Sequence, residues 1–281
     1  MDSLVSTDWL GARLGDDPLL ILDASHHLAA AGRDARTEFA SAHIPGAQFL
    51  DLASFSDAHS PVPNALPTGA QVADRLARIG WEPGQDIVIY DDSAIKTSAR
   101  AWLALARAGI ASSILDGGLE TWRAEGRPLA TGAPVAAEPS QLREPSIEKD
   151  RTRTMEAMLA NLETRTEQVI DARDADRFTG AARDMVHDLP GGHIPGARHL
   201  WYRDLYRPDG TFKPEGELRA LFDAAGVDLS RPIVTTCGSG VTASVLLFAL
   251  HRLGIRDAAL YEGSWSEWGA DDTSPKAVGP A

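Results

Sequence analysis

The chain has 281 residues, a net charge of −13, 43% hydrophobic and 24% charged residues, and a single cysteine. This is ordinary globular composition, enough for two domains at roughly 100–200 residues each. The acidic balance speaks against nucleic acid and anionic membrane as partners, and one cysteine excludes an intramolecular disulfide and suits a reducing, cytoplasmic compartment.

The chain opens on "MDSLVSTDWLGARLG", which lacks a basic region followed by an apolar core, so no signal peptide is expected. Four segments follow that each occur twice. "LLILDAS" (19–25), "SAHIPGAQFL" (41–50), "QDIVIYDDS" (85–93) and "ILDGGLETW" (114–122) return as "EQVIDAR" (167–173), "GGHIPGARHL" (191–200), "RPIVTTCGS" (231–239) and "LYEGSWSEW" (260–268). The order is kept and the offset is always 146 to 150 residues. Any one match is an apolar strand or a Gly-Pro turn; four in order imply a tandem duplication. The expected boundaries are 1–130 for the first copy, 131–150 for a linker broken by Pro134, Pro139 and Pro145, and 151–281 for the second copy.

Within the second copy "VIDA", "IVTT" and "AALYEG" read as strands, whereas "GELRALFDAAG" and "TASVLLFALHRLG" read as helices that stop at glycine. The longest apolar run, "VLLFAL", is too short to span a bilayer. Alternating strands and helices predict two α/β domains, each a mostly parallel sheet flanked by helices on both faces. Residues that recur in both copies are assigned to the scaffold. His43 and His193 precede Ile-Pro-Gly, Asp23 and Asp171 are expected to satisfy loop backbone groups, and Trp122 and Trp268 to pack in the core.

Cys237 ends the strand "PIVTT" and begins the loop Cys237, Gly238, Ser239, Gly240, Val241, Thr242, with a helix starting near Thr242. In an open α/β sheet ligands bind beyond the carboxyl ends of the strands, where this cysteine falls. The two glycines let several amide N–H groups converge on one point, and the helix start adds positive potential; both favour a thiolate over a thiol. Ser239 and Thr242 add hydroxyl donors. No second cysteine and no histidine at useful spacing supports a metal site, and no cofactor is expected. No local motif supports a papain-like Cys–His pair. A phosphatase loop needs an arginine at its end to hold phosphate, and here the next residue is Ala243. Amides and hydroxyls around one sulfur suit the holding of a sulfur anion.

"CGSGVTA" resembles the active-site loop of the mercaptopyruvate branch of the two-domain rhodanese superfamily, and "HIPGA" and "YEGSWSEW" resemble its other signatures. The resemblance covers nearly the whole chain. It implies that only the C-terminal copy is catalytic, since the repeat puts Asp91 where Cys237 sits. It further implies a sulfurtransferase that moves sulfur from a small anionic donor, 3-mercaptopyruvate, through a Cys237 persulfide to cyanide, a small thiol or reduced thioredoxin. Donor-binding residues carried over by the motif match are Arg177 and the loop Gly238, Ser239, Gly240, Val241 and Thr242. Thiosulfate-preferring relatives carry basic residues just after the cysteine, whereas this loop has Gly238 and Ser239. Thiosulfate:cyanide transfer is the nearby alternative, and a persulfide carrier without efficient turnover is another.

Three departures from the family pattern are visible. Val186 stands where a second arginine is expected, with Arg183 three residues earlier as a candidate substitute. Ala53 and Asn64 stand where some relatives place an acid and a histidine beside the active-site serine, which leaves Ser239 alone. His59 is the nearest histidine to those positions in the sequence.

Overall fold

The computed structural model describes residues 2–15, 18–134, 138–148 and 151–281. They divide into two compact units. The first takes its residues from 1–57, 66–148 and 207–212, the second from 58–65, 149–206 and 213–281.

The sheet of the first unit has strands β1 (Leu4–Val5), β2 (Leu19–Asp23), β3 (Gln48–Phe49), β4 (Asp86–Tyr90) and β5 (Ser113–Leu115), in the order β1-β5-β4-β2-β3. Helices α1 (Thr7–Gly11), α2 (Ala35–Ser41), α3 (Gly69–Ile79), α4 (Ser98–Arg107) and α5 (Gly118–Ala124) alternate with the strands. The second unit repeats the plan with β6 (Thr152–Arg153), β7 (Gln168–Asp171), β8 (Arg198–His199), β9 (Ile233–Thr236) and β10 (Ala259–Tyr261), in the order β6-β10-β9-β7-β8. Its helices are α6 (Met155–Thr164), α7 (Ala175–Thr179), α8 (Glu215–Ala224), α9 (Ala243–Arg252) and α10 (Ser264–Trp268). The named strands pair in parallel throughout; Gln168 to Asp171 face Ile233 to Thr236 residue for residue. Identical strand order in both units is the structural form of the sequence repeat.

Central strands β4 and β9 read as unbroken apolar or β-branched runs because parallel strands are covered on both faces. Helix α9 is buried from Ala243 to Leu250 for the same reason, and it gives way to Gly254 at φ 85°, a conformation that suits glycine. Residues 131–134 and 138–148 form neither helix nor strand. Within the first unit Ser140 N–H donates to the Ala77 carbonyl and Glu148 N–H to that of Arg107. Residues 135–137, 149 and 150 of the expected linker lie outside the described residues.

The recurring residues do matching jobs. His43 stacks on Phe39 at 4.0 Å between ring centroids, and His193 stacks on Phe178 at 3.9 Å. The Nδ1 of each lies within hydrogen-bond distance of that phenylalanine's carbonyl. The indole N–H of Trp122 donates to the Pro128 carbonyl and that of Trp268 to Pro275, each at 2.8 Å. Asp23 accepts the N–H of Ser25, and Asp171 that of Arg173, each at 2.9 Å.

One duplicated position differs in charge. Arg173 follows Asp171, but Ser25 follows Asp23 at the matching place. Burial therefore pushes the Asp23 carboxyl up from 3.8 to about 6, against the hydrogen bonds from Ser25 and Tyr90. A carboxyl raised in the folded state binds its proton more tightly there than in the unfolded chain. Its stabilising effect is present below pH 3.8 and disappears as pH rises through about 6. Asp23→Asn mimics the protonated acid. It is expected to raise stability at pH 7 by about 3 kcal/mol, and to remove this group's share of the slope between pH 4 and 6. Guanidinium unfolding of both proteins across that range measures the difference; parallel curves would refute it.

Candidate active site

Strand β9 delivers Cys237 at its carboxyl end, where the sheet presents ligand sites. The residue is 2% exposed. Three hydrogen bonds from the β10–α10 junction fix its backbone and that of its neighbour, and a fourth braces the junction. Cys237 N–H donates to Ser264 Oγ at 3.2 Å, and Ser264 Oγ–H donates to the Tyr261 carbonyl at 2.9 Å. Trp265 N–H donates to the Cys237 carbonyl at 3.0 Å, and Ser266 N–H to the Gly238 carbonyl at 2.8 Å. The second "YEGSWSEW" signature thus clamps the cysteine loop. Ser264 holds this junction in the left-handed region, at φ 51°, while fully buried.

The loop then turns at Gly240, whose φ is 77°, before α9 begins. Ser244 Oγ–H donates to the Gly240 carbonyl at 2.9 Å and anchors the turn to the first turn of α9. Among the described residues no protein acceptor takes the amide N–H groups of Gly238, Ser239, Val241 and Thr242. Buried or half-buried donors left in this state at a helix start form a seat for an anion. Ser239 and Thr242 are half-buried beside them.

The first unit shows what such a seat does. Asp91, at the position matching Cys237, accepts N–H from Ser93 at 2.9 Å and from Ser98, at the start of α4, at 2.8 Å. There the loop is occupied by its own carboxylate.

Arg177 lies on α7, whose first turn is capped by Asp174 accepting the Arg177 N–H at 3.0 Å. The Arg177 Nε donates to the same carboxylate at 2.6 Å, and its Nη1 stands 3.6 Å from Asp184. Burial works against its charge, but Asp174, Asp184 and Cys237 outweigh that and raise its pKa further. Arg177 is tied to the cysteine loop through side-chain contacts: Asp184 stands between it and His187, which packs on Gly238.

Sequence reasoning did not single out the three residues that build the floor of this site. Arg173, with no exposed side-chain surface, makes three short contacts with the Asp171 carboxylate between 2.6 and 3.1 Å and donates to the Gly192 carbonyl at 2.6 Å. It also lies over the Trp265 ring at 4.5 Å. Asp184, equally buried, stands 3.7 Å from Arg173 Nη1 and 3.1 Å from His187 Nδ1. Burial pushes the Asp184 carboxyl up, but the hydrogen bond to His187 and the charges of Arg177, His187 and Arg173 win and hold it down at about 2. His187 packs directly on Gly238: a Cβ built there would stand 2.3 Å from the imidazole Cε1. A signal for these residues exists. The matching phenylalanine stands 15 residues before His193 but only four before His43, and the longer stretch carries both Asp184 and His187.

The remaining candidates fall elsewhere. Arg183 is exposed and pairs with Asp188 at 2.9 Å. Val186 is 48% exposed. Ala53, His59 and Asn64 are exposed. Among the described residues no group of three or more His, Cys, Asp or Glu side chains is placed to hold a metal ion, and no helix is long and apolar enough to cross a membrane.

Comparison with known proteins gives a consistent result. A family model for the rhodanese-like domain matches residues 6–125 and again 154–271. The human 3-mercaptopyruvate sulfurtransferase is 38% identical over 273 residues, covering 95% of this chain and 91% of that protein. The chicken thiosulfate sulfurtransferase is 37% identical over 278 residues, covering 95% and 93%. The crystal structure of the 3-mercaptopyruvate sulfotransferase SseA from Escherichia coli superposes with a TM-score of 0.84 at 34% identity, covering 94% of this chain and 99% of that one. The chain belongs to the rhodanese family, with two rhodanese-like domains in tandem.

Proposed function

We propose that the chain is a sulfurtransferase that takes sulfur from 3-mercaptopyruvate onto Cys237 and passes it to an acceptor thiol or to cyanide. The observation that carries this reading is the set of uncommitted loop amides around a nucleophile-bearing position, with Arg177 beside it. The Cys237 thiolate attacks the donor sulfur, an S–S bond forms, and the carbon–sulfur bond breaks. The electron pair of that bond leaves on carbon as the enolate, which takes a proton from water to give pyruvate. The persulfide's outer sulfur then bonds to the acceptor, and Cys237 regains the electron pair of the S–S bond as a thiolate. Gly238, Ser239, Gly240, Val241 and Thr242 cradle the transferring sulfur and the charge that moves onto it, while Arg177 holds the donor carboxylate. Arg183, tied to Asp188, would have to leave that pair to take part. The first copy, filled by Asp91, serves as scaffold.

Thiosulfate is the second donor to test, because a thiosulfate sulfurtransferase stands among the relatives at comparable identity. Reduced thioredoxin, small thiols and cyanide are the acceptors to compare. A single free cysteine suits the cytoplasm.

Incubation of the reduced protein with either donor, followed by intact mass measurement, is expected to show addition of one sulfur atom. With 3-mercaptopyruvate and a thiol acceptor, continuous pyruvate release marks an enzyme and a single burst marks a carrier. Sulfur addition from neither donor would sink the proposal.

A further inference from the structure

Arg177 is the arginine of the proposed donor site, and the structure places an imidazole against the same loop. We propose that His187, oriented by Asp184, is the second contact for the donor's carboxylate; this rests on the reading that the donor is an anionic 2-oxo acid such as 3-mercaptopyruvate.

Three observations converge. The imidazole lies against Gly238, the residue that follows the nucleophile, and takes the space a side chain at 238 would fill. Its Nδ1 lies 3.1 Å from the fully buried Asp184, which fixes the ring and leaves Nε2 without a protein partner among the described residues. Asp184 also faces Arg177 at 3.6 Å, so one buried carboxylate organises both groups. The charged groups around the imidazole are Asp184 from its own loop, Arg177 from α7, Arg173 after β7 at 3.7 Å from Asp184, and Cys237 beside Gly238. Arg177 already gives its Nε to Asp174 and faces Asp184 with Nη1, so the imidazole offers the donor's carboxylate a further contact. Gly238 and His187 form a mutually dependent pair, since any side chain on 238 evicts the ring.

The test uses single-turnover sulfur loading of the full chain at graded 3-mercaptopyruvate concentrations. His187→Gln is expected to raise the half-saturating donor concentration about 10- to 100-fold, the weight of a hydrogen bond to a charged group, while the saturated loading rate stays close to that of the natural protein. Gly238→Ala, whose backbone is compatible with alanine, is expected to raise the half-saturating concentration as well by displacing the ring. A half-saturating concentration unchanged in His187→Gln would overturn the proposal. If His187→Gln does not fold, His187→Asn decides by the same readings. Failure of the natural protein to load sulfur at all would instead strike the proposed function, so the two failures are distinguishable.

Discussion

Cys237→Ser is expected to abolish sulfur loading from any donor and to lower pyruvate release by at least about 10^3-fold, the order seen when a covalent nucleophile is removed. Three features make the effect that large. Cys237 is the only cysteine in the chain, so no other thiol can take over. Its matching position in the first unit is Asp91, whose carboxylate already occupies the loop amides there. A serine hydroxyl keeps the size of the side chain but is a far weaker nucleophile than a thiolate at neutral pH, and the oxygen cannot store sulfur as a persulfide. Cys237 N–H donates to Ser264 through the backbone, so the clamp on the loop is preserved and the variant should fold. Intact mass after incubation with 3-mercaptopyruvate, together with an unfolding curve that overlays the natural protein's, separates lost chemistry from lost structure. Any sulfur adduct on the folded variant would show that Cys237 is not the acceptor.

The second large effect concerns stability. Arg173→Ala is expected to destabilise the second unit by roughly 3–5 kcal/mol, the cost of breaking a buried ion pair from one side. The guanidinium is sealed from solvent between Asp171, Asp184, the Gly192 carbonyl and the Trp265 ring. Its removal leaves the fully buried Asp171 carboxylate without its arginine, takes one of the positive neighbours from Asp184 and opens a void beside Trp265. The same variant should relax Asp184, which is held at about 2 partly by Arg173. A carboxyl depressed in the folded state stabilises above its unfolded value of 3.8 and stops doing so as pH falls through about 2. The acid side of the second unit's stability curve should therefore shift in Arg173→Ala, opposite in sign to the Asp23 effect in the first. Guanidinium unfolding at pH 7 and at pH 3 measures both parts. A loss below about 1 kcal/mol would mean that the cluster is replaceable by packing.

The duplication, the parallel α/β plan and the nucleophile were legible in the sequence, because each is written in local chemistry. Short apolar runs must be strands covered on both faces, glycines mark where helices stop, and a cysteine between a strand and a Gly-x-Gly turn can only sit at the sheet's ligand-binding end. The recurrence of His43 with His193 and Trp122 with Trp268 separated scaffold from site, since residues kept in the unit without a sulfur serve the fold. Arg177 was singled out by the resemblance of "DARDADRF" to the family's motif, and the structure adds its ion pairs with Asp174 and Asp184.

The rest of the site was decided by tertiary structure. Val186, in register with the family's arginine, is exposed, and the chain from 180 to 190 has no period from which side-chain directions can be read. Its path is set by burial of Asp184 against Arg173, a contact between residues on two separate segments that no local rule connects. That one buried carboxylate turns His187 inward onto Gly238 and leaves Arg183 outside with Asp188. Sequence alone singled out Cys237 as the candidate nucleophile; which groups surround it was settled by where a buried charge had to find its partners.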